Sequence, residues 1–116
     1  MTLGETAPEF TTLLHDLLAA EEETIHAKIV NNLEIIRCVK SNDENLYAFY
    51  IYVKDPRAST AINESEYGDR YKDSIAVTDL SNDYILDIDE SGTIMSIEVL
   101  GREDVYKQIQ LKIGSA

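Results

Sequence analysis

The chain has 116 residues, with 22 acidic and 10 basic side chains and a formal net charge of -12 at pH 7. This length suits a single domain, spanning 1-116, with one hydrophobic core. The charge argues against binding to nucleic acid or to an anionic membrane, because phosphates require Lys and Arg. It favours encounter with a basic protein partner, although solubility alone accounts equally well for the same charge.

The cellular compartment is indicated by the single cysteine and by the first residues. Cys38 has no second cysteine with which to form an internal disulfide, and we expect it to be a buried, unreactive thiol in a reducing compartment. The segment MTLGETAPEF has neither a basic nor a long apolar stretch, so we expect no signal peptide and a cytoplasmic location.

An amphipathic helix is predicted near the N-terminus. Thr6 can cap it, Glu9 stands at the capping-box position, and Pro8 suits the first turn. The apolar residues that follow recur at helical spacing on one face: Phe10, Leu13, Leu14, Leu17 and Leu18. Residues 24-32 fit two interpretations. Ile25 and Ile29 continue the helical register, yet the same segment also alternates like a strand.

The middle of the chain predicts strands. Leu33 to Val39 is rich in Ile and Val, residues 41-45 form a turn cluster, and Leu46 to Val53 (LYAFYIYV) is dense in aromatic and β-branched residues. Both faces of this last segment are apolar or amphipathic, which predicts a central strand covered on both sides. We expect the N-terminal helix to cover Tyr50 and Tyr52.

The segment from Asp55 to Asp73 is polar and is predicted to be a long loop with at most one short element. Its acidic residues and interleaved tyrosines suit a docking surface for a basic protein, since Tyr buries area while keeping a polar tip. The residues concerned are Glu64, Glu66, Tyr67, Asp69, Tyr71 and Asp73. A mobile loop without a partner is the alternative interpretation.

Two hairpins are predicted next, from strands at Ser74 to Leu80, Tyr84 to Asp89 and Thr93 to Leu100. One face of the second hairpin is polar and is expected to be wet; it carries Asp87, Asp89, Ser96 and Glu98. The tail after Gly101 suits either a short helix or an edge strand. The predicted fold is therefore α+β, with the N-terminal amphipathic helix packed on an antiparallel β-meander of about five strands.

The second hairpin also has the spacing of an EF-hand calcium loop. Oxygen-bearing residues stand at positions one, three and five from Asp87, with Gly92 at six and Glu98 at twelve. An EF-hand needs a helix on each side, whereas the flanking sequence alternates like strands. We therefore predict a hairpin without a metal, and keep a small metal-binding domain as an alternative.

The pattern NDENLYAFYIYV, SIAVTDL and YILDIDESGTIMSIEVLG resembles a family of small uncharacterised bacterial β-rich domains. The matching residues are Leu46, Tyr47, Asp87, Asp89, Glu90, Gly92, Ile94, Ile97, Glu98, Val99 and Leu100. The resemblance covers about the latter two thirds of the chain, and Ser96 departs from it by replacing a glycine. Members are often encoded beside putative toxins, so the resemblance implies an antitoxin-like role and assigns no catalytic residues.

No pattern for catalysis emerges from the remaining candidates. His15 and His26 lack a second His or Cys at metal-ligand spacing, and the five glycines form no phosphate loop. We therefore expect a protein that is not an enzyme and needs no cofactor.

The leading hypothesis is an antitoxin or immunity-type inhibitor that occludes a basic partner such as a nuclease-type toxin. The loop acids Glu64, Glu66, Asp69 and Asp73 come first, and Asp87, Asp89 and Glu98 second. A phage-type DNA mimic and a homo-oligomer paired through a strand edge are the alternatives.

Overall fold

The computed structural model describes residues 1-42, 47-58 and 66-114. The helices are α1 (Leu3–Thr6), α2 (Pro8–Ala20), α3 (Thr24–Ile29), α4 (Tyr67–Arg70) and α5 (Glu103–Ile113), with a 3₁₀ turn at Val30–Asn32. The strands are β1 (Glu34–Lys40), β2 (Ala48–Lys54), β3 (Tyr71–Thr78), β4 (Asp83–Asp89) and β5 (Ile94–Leu100). The α+β class and the five-stranded antiparallel sheet are confirmed.

The strand order in the sheet is β1-β2-β5-β4-β3, and every neighbouring pair is antiparallel. It departs from a simple meander because β5 lies between β2 and β4. The inner strands β2, β5 and β4 each have a neighbour on both sides and are the more buried ones, while the more exposed β1 and β3 form the edges.

The N-terminal cap lies four residues earlier than the sequence predicts. Thr2 and Glu5 form a capping box on α1, with the Glu5 amide donating to Thr2 Oγ1 and the Thr2 amide to Glu5 Oε1. The capping box expected at Thr6 and Glu9 is wrong, because the buried Thr6 hydroxyl donates back to the Leu3 carbonyl. Pro8 begins α2, as predicted.

Residues 24-32 are helical, which settles the choice left open by the sequence. The tail after Gly101 is helical too, as α5. Val105 and Ile109 of α5 are buried in the same core as α2. Both helices therefore owe their place to burial of one apolar face.

The hydrophobic core lies between the helices and one face of the sheet. Phe49, Ile51 and Val53 of β2 point into it, and Phe10 of α2 packs edge-on against Tyr84 of β4, with ring centroids 5.6 Å apart. Successive strand residues point to opposite faces, so Tyr50 and Tyr52 lie on the other side of the sheet. The expectation that the N-terminal helix covers these two tyrosines is wrong.

The predicted long loop is shorter than expected, because α4 and the start of β3 at Tyr71 occupy its second half. Residues 43-45 of the predicted turn cluster at 41-45, and the predicted docking residue Glu64, lie outside the described residues. Over the described part of the chain, none of the helices has the length and apolar character needed to cross a bilayer.

Candidate protein-binding face

One face of the sheet carries the tyrosines and carboxylates that the sequence singles out. Strand register places Tyr50 beside Glu98, and Glu98 beside Ile85. A second row runs across four strands, through Tyr52, Ser96, Asp87 and Ser74. We call this surface, opposite the core, the open face; its members are Tyr50, Tyr52, Ser74, Ala76, Ile85, Asp87, Ser96 and Glu98.

A hydroxyl network surrounds the Asp87 carboxylate on the open face. Tyr67 donates to Asp87 Oδ2 at 2.6 Å and Ser74 Oγ donates to Oδ1 at 2.8 Å. Ser96 Oγ lies 3.3 Å from Oδ2 and also shares a hydrogen bond with Tyr67. Because Tyr67 begins α4, this network holds α4 against the open face.

Three tyrosine rings form a row beside these carboxylates. The Tyr50 and Tyr52 rings stack with centroids 6.5 Å apart, and Tyr67 meets Tyr52 edge-on at 5.8 Å. The guanidinium of Arg37 lies 5.7 Å from the Tyr52 centroid, within range of a cation–π interaction. The row thus already accommodates one cationic side chain.

The surroundings of Tyr67 and Tyr50 keep these two hydroxyls protonated. Burial, reinforced by the hydrogen bond to Asp87, raises the pKa of Tyr67 well above its ordinary value. Hydrogen bonding with the Glu98 carboxylate, followed by burial, raises the pKa of Tyr50. Both phenols therefore act as hydrogen-bond donors to neighbouring carboxylates.

The predicted docking residues of the loop fall around α4 and the beginning of β3. Glu66, Asp69, Tyr71 and Asp73 are exposed, and Tyr67 is partly buried. A cleft of about 300 Å³ lies between this turn of helix and the β4–β5 turn. Its lining includes Asp69, Arg70, Asp89, Glu90 and Ser91. Of the predicted docking acids, Asp69 therefore lies closest to the β4–β5 turn, across the cleft from Asp89 and Glu90.

Two residues expected on a wet face are buried. Asp89 is 8% exposed, and its carboxylate accepts the amides of Ser91 and Thr93 and the Thr93 hydroxyl. Ser96 is 1% exposed beneath Tyr67. The expectation of open polar groups is wrong for both, because the turn and α4 use them internally. Asp87 and Glu98 are partly exposed.

The EF-hand spacing is realised as a β-hairpin, in agreement with the interpretation preferred from the sequence. Asp89 shapes the turn, whereas Asp87 binds hydroxyl groups on the open face, so the carboxylates serve different contacts. Residues 1-42, 47-58 and 66-114 contain no group of three or more His, Cys, Asp or Glu side chains arranged to hold a metal ion.

The same turn is anchored from outside by two elements. The buried Asp55 carboxylate accepts the Ile94 amide at 2.8 Å and pairs with Arg57 at 2.7 Å. Arg57 and His26 each approach the Gly92 carbonyl at 3.1 Å. These contacts fix the end of the hairpin that displays Asp87 and Glu98.

Sequence reasoning missed Arg37 and Ser74 as members of the site, although it placed Ser96 on the same polar face as Asp87. Alternation along each strand places Ser74 and Ser96 on the same face of the sheet as Asp87. Alternation alone does not show that a tyrosine from α4 forms hydrogen bonds with this row of residues.

No protein-family model matches the chain, and comparisons with curated proteins and with solved structures likewise find no match.

Proposed function

We propose that the protein is an acidic protein-binding module that binds a basic protein through its open face, with the loop acids Glu64, Glu66, Asp69 and Asp73 contributing to binding. The observation that carries this proposal is the tyrosine row of Tyr50, Tyr52 and Tyr67 lying against Asp87 and Glu98. Tyrosine buries a large area at low entropic cost, and carboxylates beside it select cationic side chains.

The chemistry of recognition follows from the contacts within the chain. A Lys or Arg of the partner would stack on an exposed part of the tyrosine row and pair with Glu98 or Asp87. Arg37 already makes such a stack on Tyr52. A guanidinium suits this role because its planar fork stacks on aromatic rings and matches a carboxylate.

The finer proposal is an antitoxin or immunity-type inhibitor, whose partner would be a nuclease-type toxin with a cationic site. Glu66, Asp69 and Asp73 are exposed and supply further negative charge; Glu64 precedes them in the sequence. Binding would occlude the cationic site sterically and electrostatically. Support comes from the charge, the tyrosine row and the family resemblance, and the neighbouring gene tests it directly: a toxin that this chain neutralises on co-expression is expected there.

The experiment for the broader proposal compares two variants of equal charge. Glu98→Lys alters the open face, whereas Glu21→Lys alters an exposed position at the end of α2, on the helix side. Each immobilised variant and the unmodified chain would be exposed to native lysate of the source cell, and retained proteins would be identified and ranked by isoelectric point.

The proposal expects a basic protein that the unmodified chain and Glu21→Lys retain and Glu98→Lys loses. Retention by all three forms would contradict the assignment of the open face. Equal loss with both variants would show that overall charge, and not this surface, governs binding.

A further inference from the structure

The two edge strands of the sheet differ in whether other parts of the chain form hydrogen bonds with their outer backbone groups. The outer edge of β1 is covered: the Ile35 amide donates to the Met1 carbonyl at 2.9 Å, and Gln110 Nε2 of α5 donates to the Cys38 carbonyl at 2.9 Å. Across the described ranges, no backbone segment donates to or accepts from the outer edge of β3 between Ser74 and Thr78. An uncovered edge strand is a template for another strand.

One contact shows which backbone amides of β3 point away from β4. The Ser74 amide donates to Asp73 Oδ1 at 2.8 Å and so lies outside the ladder with β4. Backbone groups alternate between the two sides of a strand. The amides of Ala76 and Thr78 therefore also face away from β4.

The charge around this edge indicates what kind of strand fits. Residues 66-90 contain eight acidic and two basic side chains, a net charge of -6, which is half of the -12 carried by the whole chain. A second copy would bring two such hairpins together and would be repelled. A basic segment would be attracted.

We propose that an extended, basic segment of the partner adds beside β3 as a sixth strand of the sheet. This inference rests on the proposed function in requiring a basic partner, and it adds the structural element by which that partner docks. Main-chain hydrogen bonds would supply affinity, and alternating side chains specificity.

The side chains of β3 and β4 predict the sequence pattern of that segment. On the open-face side β3 presents the small residues Ser74, Ala76 and Thr78, with Asp87 paired to Ser74 and Asp83 to Thr78. An added strand would lie two strand spacings, about 10 Å, from β4. Lys or Arg side chains opposite Ser74 and Thr78 would span this gap, so the segment should carry two cations four residues apart.

The probe is a fluorescently labelled peptide, Val-Lys-Val-Thr-Val-Lys-Val, titrated with the full chain and followed by fluorescence anisotropy. Its control, Val-Val-Lys-Lys-Val-Thr-Val, has the same composition without the spacing of four. Ala76→Pro removes an outward amide, which an edge strand tolerates, and circular dichroism checks that this variant folds. Asp83→Lys, at an exposed position, tests the charge requirement independently.

The inference expects the spaced peptide to bind about tenfold more tightly than its control, and both substitutions to weaken it by a similar factor. Equal binding of the two peptides, or unchanged binding after Asp83→Lys, would overturn it. A dimer that light scattering detects and that Ala76→Pro dissociates would also overturn it, since the edge of β3 would then pair with a second copy of the chain.

If Glu98→Lys loses the basic partner while the peptide fails to bind, the proposed function stands and this inference alone falls. If retention is unaffected by Glu98→Lys, the proposed function falls instead.

Discussion

Tyr67 of α4 donates its hydroxyl to the carboxylate of Asp87 on β4, with 2.6 Å between the two oxygens. This bond joins the four-residue helix α4 to the middle of the open face. The same carboxylate accepts the Ser74 hydroxyl at 2.8 Å, so α4, β3 and β4 meet at one group. The shape of the candidate binding face therefore depends on Asp87.

The first prediction concerns the Tyr67 hydroxyl. Tyr67→Phe should lower the free energy of unfolding by about 1-2 kcal/mol, because a partly buried carboxylate loses a hydrogen bond. Urea denaturation measures the change. Tyr71→Phe is the matched control: Tyr71 is 45% exposed and, among the residues that the structure describes, its hydroxyl bonds only Ser74, so its loss should change stability by less than about 0.5 kcal/mol. Equal effects would contradict a special role for the Tyr67–Asp87 bond.

The second prediction concerns the buried Asp55 carboxylate. Burial alone would raise the pKa of Asp55, but hydrogen bonds from Arg57 and from the Ile94 amide outweigh it and hold that pKa below the ordinary value of 3.8. Asp55→Asn should therefore lower the free energy of unfolding at pH 7 by about 2 kcal/mol, the partial exposure of Arg57 moderating the loss.

The pH dependence of this difference has a definite sign. A carboxyl whose pKa is lower in the folded state stabilises the protein above its unfolded pKa, and that contribution is lost as the pH falls through the folded pKa. The gap in unfolding free energy between the unmodified chain and Asp55→Asn should thus be constant near neutrality and shrink below about pH 3.8. A gap that widens on acidification would contradict this account of Asp55.

The third prediction compares two glycines with positive φ. Gly101 has φ +91° and Gly92 has φ +80°; a Cβ at Gly101 would overlap Asn82 Oδ1, whereas one at Gly92 would meet nothing within 4 Å. Gly92→Ala should cost about 1 kcal/mol from backbone strain alone. Gly101→Ala should cost more, about 2-3 kcal/mol, because Asn82 must also move. Thermal unfolding of both variants measures the difference. Equal losses of stability would contradict the prediction, because they would show that the Asn82 side chain moves aside at no cost.

The fourth prediction concerns Cys38, which is 8% exposed. Burial raises the pKa of its thiol from 9.0 to about 12, so at pH 8 only about one molecule in ten thousand would carry the thiolate. A disulfide reagent such as Ellman's reagent should label the native protein slowly and the protein in guanidinium at once. Complete labelling of the native chain within minutes would contradict the burial of this thiol.

Much of the fold follows from alternation and turn signals in the sequence. The hairpin of β4 and β5 is predicted correctly, because Tyr84 and Leu86 alternate in step with Val99 and Ile97, which pair with them. The placement of Tyr50 and Tyr52 is predicted wrongly. Both faces of β2 are aromatic or apolar, so periodicity separates the two faces without indicating which one the helices cover.

The misplaced cap and the misjudged Asp89 have local causes. The sequence offers Thr-x-x-Glu at both Thr2 and Thr6, and the first is used because burial commits the Thr6 hydroxyl to the Leu3 carbonyl. Because Asp89 lies two residues after Asp87 on the same strand, the sequence predicts that both side chains face solvent. A bulge after Asp87 changes this alternation, and the Asp89 carboxylate instead turns inward to accept hydrogen bonds from amides of the turn.

The central claim, that the open face binds a basic partner, is tested most directly by mapping the contact on the chain itself. The retained basic protein would be titrated into the ¹⁵N-labelled chain and amide chemical-shift changes recorded. The account predicts that the largest changes fall on Tyr50–Tyr52, on Tyr67 and on Ser96–Glu98, with α2 and α3 unaffected. Changes concentrated on α2 and α3, with the tyrosine row unperturbed, would contradict it.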